Sequence, residues 1–458
     1  MAENANNNTK DMTEGSPARL ILFFTLPLIA GNIFQQLYGF VDTLIVGRFL
    51  GVEALAAVGC TGCLMFLLVG CIMGMTAGLT IITGQRFGAR DYEGVRRSAA
   101  ACVVLTMAVS FVTAFIGAYF ARDILVLMDT PPDILDGAEA FISIVVGGSP
   151  LFSVFIVGAN LLRALGDSRH PTMFLATSLC INILLEPLFL LVFEWGIPGA
   201  AEAMIVSQAL GGLIVWLYIW RKVPALRIQA GDWRLDREFL WQHLRVGLPM
   251  AFQTSIIAIG AVILQVALNG LGPVAVASYA AAQKVETIAL MPMMSFGMAM
   301  AAYTAQNYGA RKLGRIKKGV NQCIMMSGTF SILVGIFNIA FGSQLMFLFV
   351  GDAEPQVIDY GQVYLTTTGV CYWILALLFI YRSTLQGLGK SFVPTFAGIM
   401  ELVMRAAAAI WLVQLLGFWG ASMASPAAWI GSCVPLAIAY YYTLRKLKQE
   451  AREILSAR

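Results

Sequence analysis

Asp42 lies in the stretch LYGFVDTLIVG, residues 37–47, where every other side chain is apolar or uncharged. A second stretch, LCINILLEPLFL, carries Asn182 and Glu186 four residues apart, so on a helix the two would share a face. Two carboxylates in one low-dielectric site cannot both ionise cheaply, so such a site takes up and releases a proton. The oxygens of Asp, Glu and Asn also suit a hard cation such as Na+. These three residues are therefore candidates for a cation-coupling site.

Neighbouring polar residues would support this site. Tyr38 and Gln35 precede Asp42 by four and seven residues, so both could share its helical face, orient the carboxylate or line a substrate cavity. The alternative is that Asp42 and Glu186 only pack helices together, paired with Asn, Gln or backbone groups. A carboxylate at the bilayer centre costs roughly 2.5–3.5 kcal/mol, which favours a functional reason for its presence.

Four further charged residues lie in apolar stretches of the second half. Glu286 is another coupling candidate, since Lys284, two residues away, does not share its helical face. Glu401 and Arg405 are four residues apart, in the order that favours a salt bridge along a helix. This spacing indicates a neutralised structural pair.

The composition shows what positions these residues. The chain has 458 residues, of which 59% are hydrophobic and 12% charged, with a mean hydropathy of +0.76; a soluble domain has about 25% charged residues. The protein is therefore an integral membrane protein. Runs of about 20 apolar residues, the length that crosses the hydrocarbon core, predict an all-α fold with twelve spans near 20–47, 54–84, 95–120, 141–163, 171–193, 198–220, 246–269, 274–305, 317–341, 360–386, 392–415 and 420–444.

The charges outside the spans predict the orientation. Lys and Arg concentrate at the N-terminus, after every even-numbered span and at the C-terminus, whereas the alternate loops hold only Arg48 and Arg122 among many acids. By the positive-inside rule, both termini are cytoplasmic. Residues 1–19 are polar and predict a disordered cytoplasmic tail without a cleavable signal peptide, and residues 445–458 predict a cytoplasmic C-terminal tail. We therefore expect a multi-pass protein of the cell, or inner, membrane.

The chain also repeats itself. TGQRFGAR (83–90) recurs as TAQNYGAR (304–311), and ALGDSRHPT (164–172) recurs as GLGKSFVPT (387–395), with two further matched blocks in the same order. This predicts two six-helix lobes, 20–220 and 246–444, joined by the amphipathic cytoplasmic linker 221–245. Six crossings return the chain to its starting side, so a pseudo-two-fold axis along the membrane normal is expected, as in secondary transporters.

The eight cysteines all fall within predicted spans, so a disulfide framework is not expected. Cys60 and Cys63 form a CxxC pair without a second pair or a nearby histidine. The pair therefore indicates small residues that pack between helices more than a redox or metal site.

The chain resembles the multidrug and toxic compound extrusion (MATE) family in three features. These are the two-times-six plan, the run of Pro27, Asn32, Asp42 and Gly47, and the repeated GQ-x-x-GA and Q-N-x-GA motifs. The resemblance covers residues 20–444. One branch of the family uses acids of spans 7 and 10, and these spans contain none here. The other branch uses an Asp on span 1 with an Asn and an acid on span 5. The resemblance therefore implies the N-terminal-lobe cation site, at Asp42, Asn182 and Glu186.

Span 6 departs from the family. Where members of this branch tend to have an Ala-Thr pair, this chain has Ala203 and Met204, so the threonine hydroxyl of the site is expected to be missing. Glu202 could replace it or lie at the external rim, and its position near the start of the span favours the rim.

These features favour a secondary active antiporter that exports amphipathic, often cationic compounds in exchange for inward H+ or Na+ by alternating access. A flippase or exporter of a lipid-linked precursor or metabolite is the alternative. The chain has no GxxxxGK[ST] motif of an ATP-driven pump and no HExxH, GxSxG or DDxxD motif of an enzyme. We expect no cofactor and no nucleic-acid partner. The repeat supplies both walls of a cavity, so a monomer suffices within the lipid bilayer.

Overall fold

The computed structural model describes residues 10–128, 130–351 and 355–456, and every regular element within these ranges is helical. The predicted tail residues 1–9 and 457–458 lie outside the described residues. The α-helices are α1 Pro17–Phe49, α2 Gly51–Cys60, α3 Gly62–Gly88, α4 Tyr92–Leu127, α5 Pro132–Gly147, α6 Ser149–Ala164, α7 Arg169–Pro187, α8 Gly196–Lys222, α9 Arg237–Asn269, α10 Pro273–Gly309, α11 Leu313–Val350, α12 Pro355–Gly387, α13 Phe392–Ala407, α14 Val413–Leu416 and α15 Phe418–Ser456.

The number of membrane-spanning helices agrees with the sequence. Eleven helices or helix runs in the described chain are long and apolar enough to span a membrane, and the pair α5 and α6, bent by 47°, gives a twelfth if it is one span. The predicted all-α membrane fold is confirmed. Several boundaries differ. Among them, the second predicted span is two helices that meet at Thr61, the fourth begins at Pro132, and the seventh begins at Arg237.

The chain divides into two compact units. Unit 1 contains Leu26–Thr254, and unit 2 contains Met12–Thr25 and Ser255–Arg458. The internal repeat extends to backbone conformation, because left-handed residues recur at matched motif positions in the two halves. These pairs are Gly51 with Gly272, Arg90 with Arg311, and Gly166 with Gly389. A π-helical turn also follows the main helix of matched spans, Leu188–Val192 after α7 and Ala408–Leu412 after α13.

Within unit 1, α3 crosses α9 through a row of glycines spaced four residues apart. A side-chain carbon at Gly74 would lie 2.8 Å from the carbonyl oxygen of Met250, and one at Gly78 would lie 2.7 Å from the Cα of Gly247. Because apolar lipid gives little hydrophobic drive for helix association, small residues that permit close van der Waals contact stabilise such crossings. The crossing therefore packs α9, the helix that follows the predicted linker, closely against α3.

Part of the polar N-terminal segment is ordered, which differs from the expected disorder. Within unit 2, the Met12 side chain is buried, its amide donates to Gln306 Oε1 at 2.9 Å, and Arg315 Nη1 donates to the carbonyl of Gly15 at 2.9 Å. Lys312 Nζ donates to the carbonyl of Thr13 at 3.0 Å. Backbone carbonyls of the N-terminal segment thus accept hydrogen bonds from the cations of the α10–α11 turn. Composition alone does not reveal this interaction.

The linker and the C-terminus also carry more structure than predicted. In unit 1 the linker forms two short 3-10 turns, Pro224–Leu226 and Ala230–Trp233, and Asp232 pairs with Arg96 of α4 at 3.2 Å. Residues 445–456 continue α15 and do not form a separate tail.

Candidate cation-coupling site

Asp42 of α1 is half-buried and is approached by a neighbour on its own helix. The Tyr38 hydroxyl, one turn earlier, donates to Asp42 Oδ1 at 3.5 Å. It also lies within hydrogen-bonding reach of Asn182 on α7. Tyr38 thus lies near side chains of both helices that carry the predicted site, whereas its spacing indicated only that it shares the helical face of Asp42.

Asn182 and Glu186 lie one turn apart on α7, and both side chains are buried. Asn182 Nδ2 donates to Glu186 Oε2 at 3.3 Å. Pro187 comes next, and the chain then continues as the π-helical turn Leu188–Val192. A π-turn breaks the regular hydrogen-bond ladder, and such turns are frequent at functional sites. The Glu186 carboxyl thus lies at the point where the α-helix ends.

The carboxyl groups of Asp42 and Glu186 are close enough for each to influence the ionisation of the other. Glu186 Oε1 is buried and accepts no hydrogen bond from a protein donor. Ionised carboxylates only accept hydrogen bonds, so two in contact repel each other unless a proton or a cation lies between them. The geometry therefore suits the binding of one proton or one small cation.

A hydroxyl that the sequence analysis expected to be missing is supplied by Ser207. Ser207 Oγ, on α8, lies 3.1 Å from Asn182 Oδ1 and 2.8 Å from the carbonyl of Met204. Ser207 lies three residues after Met204, where the family resemblance placed a threonine, so a neighbouring turn of the same helix provides the group. Only the packing of α7 on α8 could reveal this.

The remaining predicted site residues are Gln35, Glu202 and Glu286. Gln35 is exposed and makes no hydrogen bond within the described residues. Glu202 is half-buried near the start of α8, consistent with the rim, and no ion pair involves it in the described chain. Glu286 belongs to unit 2, where its buried Oε2 accepts from the Tyr364 hydroxyl at 2.7 Å.

The part of the chain that the structure describes has no group of three or more His, Cys, Asp or Glu side chains that could hold a metal ion. The described cysteines, which include Cys60, are free thiols, and the side chain of Cys63 lies outside the described residues.

The comparison with known proteins identifies the family. The MatE family model matches residues 27–188 and again residues 249–411, so it covers both halves of the chain. This chain belongs to the MATE family. The two matches of the family model coincide with the two copies of the internal repeat. MATE proteins are transporters, so the protein is a multi-pass membrane transporter of the multidrug efflux family and not an enzyme.

Relatives match over nearly the whole MATE chain. The probable multidrug resistance protein YoeA of Bacillus subtilis is 28% identical over 97% of this chain and 98% of its own length. The FAD transporter of Shewanella oneidensis is 24% identical over 84% of this chain and 86% of its own. A crystal structure of a MATE protein in the bent conformation has a TM-score of 0.89 at 22% identity, over 97% of this chain and all of that one. MATE structures are built as two six-helix bundles.

This MATE protein also buries a charged cluster that the sequence showed only in part. The predicted pair of Glu401 and Arg405 is confirmed at 3.1 Å, and Arg382 of α12 forms a second bond to Glu401 at 2.7 Å. Arg382 lies near the end of the predicted span 360–386, where the charge distribution predicts cytoplasmic cations. The contact depends on the close packing of α12 on α13, and the periodicity of the sequence does not predict which helices pack together.

Proposed function

We propose that this MATE transporter is a secondary active antiporter that exports amphipathic, often cationic compounds in exchange for inward H+ or Na+. Asp42, Asn182 and Glu186 form the coupling site, in the N-terminal-lobe branch of the family. The proximity of the two carboxyl groups carries this proposal, because a bound proton or cation removes their mutual repulsion.

The chemistry of the cycle follows from this proximity. With the site empty, Asp42 and Glu186 repel each other across a low-dielectric space; a proton or Na+ removes the repulsion and draws the two carboxyls together. Tyr38 links α1 to α7, so the state of the site acts on the relative positions of both helices. Inward movement of one charge supplies about 2.3 kcal/mol per 100 mV of membrane potential, which can drive export against a gradient.

The test compares efflux of a lipophilic cationic dye from cells that express the wild type or Asp42→Asn, under imposed proton and sodium gradients. We expect one gradient to drive efflux by the wild type, and Asp42→Asn to abolish it at an equal protein level. Asp136→Asn, which removes an exposed carboxylate of the Arg122 pair, is the matched control and should retain efflux. Undiminished gradient-driven efflux by Asp42→Asn would contradict the proposal.

The alternative function is export of a lipid-linked precursor or a metabolite. The relative named as an FAD transporter favours it, because its named substrate carries phosphate groups. Wild-type cells that extrude no dye under either gradient would favour this alternative.

We further propose that the transporter lies in the cell membrane with both termini cytoplasmic. It works as a monomer in the lipid bilayer, without nucleic-acid partners. The distribution of Lys and Arg supports the orientation.

A further inference from the structure

Unit 2 buries two arginines on a single carboxylate. Arg382 and Arg405 each donate to a different oxygen of Glu401, at 2.7 and 3.1 Å, and all three side chains are at least nine-tenths buried. Arg382 also lies 3.4 Å from the hydroxyl of Ser432 on α15. The Nε atoms of both arginines are buried and have no hydrogen-bond partner. Two positive charges therefore share one negative charge, and donors remain unused.

Stability does not explain this arrangement. Replacing buried ion clusters by apolar side chains is often neutral or stabilising, because pairing seldom exceeds the cost of desolvation. Glu286 acts on Arg405 electrostatically but forms no ion pair with it, since its Oε2 binds Tyr364. Glu401 is therefore the ion-pair partner of both guanidinium groups, and Arg382 has one additional contact with the neutral Ser432 hydroxyl. Ionisable residues buried in a membrane protein are functional candidates by default.

The internal repeat relates this cluster to the coupling site. Asn182 lies 13 residues after Arg169, the first residue of α7, and Arg405 lies 13 residues after Phe392, the first residue of α13. At the repeat position where unit 1 has the coupling-site amide, unit 2 therefore has a guanidinium. A side-chain carbon at Gly260 of α9 would lie 3.0 Å from Arg405 Nη1, so glycine there leaves space for this group.

We propose that Arg382 and Arg405 bind an oxyanion, a carboxylate or phosphate group, of the transported molecule. This inference rests on the transport function proposed above and specifies its substrate class: amphipathic compounds that carry such a group, zwitterions included. A guanidinium presents a planar fork of N–H donors that matches the two oxygens of a carboxylate or phosphate. Glu401 holds the two forks in place between substrates.

The test measures equilibrium binding of two fluorescent probes to the purified protein in phosphatidylcholine nanodiscs, without an ion gradient. One probe is a rhodamine with a free carboxylate, and the other is its ethyl ester, which differs only by the lost anion. We expect tighter binding of the free carboxylate. Arg405→Met should raise its Kd by about tenfold or more, because it removes a charged hydrogen-bond donor, and leave the Kd of the ester unchanged.

Arg405→Met also separates binding from folding. It leaves Arg382 and Glu401 as a neutral pair, so we expect the melting temperature to equal or exceed that of the wild type. Glu286→Gln removes a competing negative charge and should tighten binding of the carboxylate probe. Lys284→Met, which removes an exposed positive charge of unit 2 outside the cluster, is the control and should leave the preference unchanged.

Three results would overturn the proposal. In the first, the wild-type protein shows no preference for the carboxylate probe, which includes the case in which it binds neither probe. Another is a lower melting temperature of Arg405→Met with unchanged probe preference, which would make the cluster structural. The third is loss of the preference when phosphatidylglycerol is added to the discs, which would make a lipid headgroup the occupant. Since no gradient is used, a failure of ion coupling in the Asp42→Asn experiment would overturn the antiporter proposal alone.

Discussion

At the scale of single residues, the hydroxyl of Ser207 determines which way the Asn182 amide faces. Its single hydroxyl proton is shared between Asn182 Oδ1 at 3.1 Å and the carbonyl of Met204 at 2.8 Å, and the contact with Oδ1 leaves the amide nitrogen directed to Glu186. We expect Ser207→Ala to free this amide. The concentration of the driving ion that gives half-maximal transport should then rise by about two- to tenfold, because the loss of one neutral hydrogen bond has an effect of this size. The measurement is the transport rate as a function of the imposed proton or sodium gradient.

Thr177→Ala is the matched control for Ser207→Ala. Thr177 lies on the same helix as Asn182 but is exposed, and its hydroxyl donates to the carbonyl of Met173 within that helix. This variant should transport at the wild-type ion concentration. Equal shifts in both variants would mean that Ser207 acts through general helix stability and not through the amide.

At the scale of elements, the crossing of α3 and α9 depends on the absence of side chains. A carbon at position 78 would meet the backbone of Gly247, which cannot rotate away as a flexible side chain can. We expect Gly78→Ala to lower the stability of the folded protein by about 1–3 kcal/mol, as overpacking does, and to lower the melting temperature in detergent. Gly62→Ala on α3 has nothing within 4 Å and should melt near the wild type. The same loss in both variants would point to glycine flexibility instead of the crossing.

A second element, the ordered segment Met12–Ala18, is held by side chains of α10, α11 and the turn between them. Arg315 binds the carbonyls of Met12 and Gly15, and Gln322 accepts from the amide of Ala18. We expect Arg315→Ala to release the segment and to speed amide hydrogen exchange of its backbone by about tenfold or more, because local opening then costs less free energy.

Lys317→Ala provides the comparison for Arg315→Ala. Lys317 is exposed on the same helix, so its removal should leave the exchange rate of the segment unchanged. If Arg315→Ala also leaves that rate unchanged, Met12 burial and the Gln306 contact suffice to hold the segment.

At the scale of the whole molecule, the sequence predicted the features that are periodic or repeated. The spans, the two-lobe plan and the pairing of Glu401 with Arg405 follow from apolar length, self-similarity and helical spacing, all of which act within one segment. Ser207 next to Asn182, Arg382 on Glu401 and Met12 on Gln306 each join segments distant in the chain. Such contacts depend on which helices pack together, and one sequence does not contain that information. The break at Thr61 was missed because both sides are equally apolar.

The orientation of the whole chain remains a prediction from charge, and labelling can test it. In a variant whose native cysteines are replaced, Asp133→Cys places an exposed thiol at the start of α5, among the acidic loops, and Lys446→Cys places one near the C-terminus. The positive-inside rule predicts that a membrane-impermeant maleimide labels position 133 in whole cells and position 446 only in inside-out vesicles. The reverse pattern would place the basic loops outside and would contradict the orientation predicted from charge.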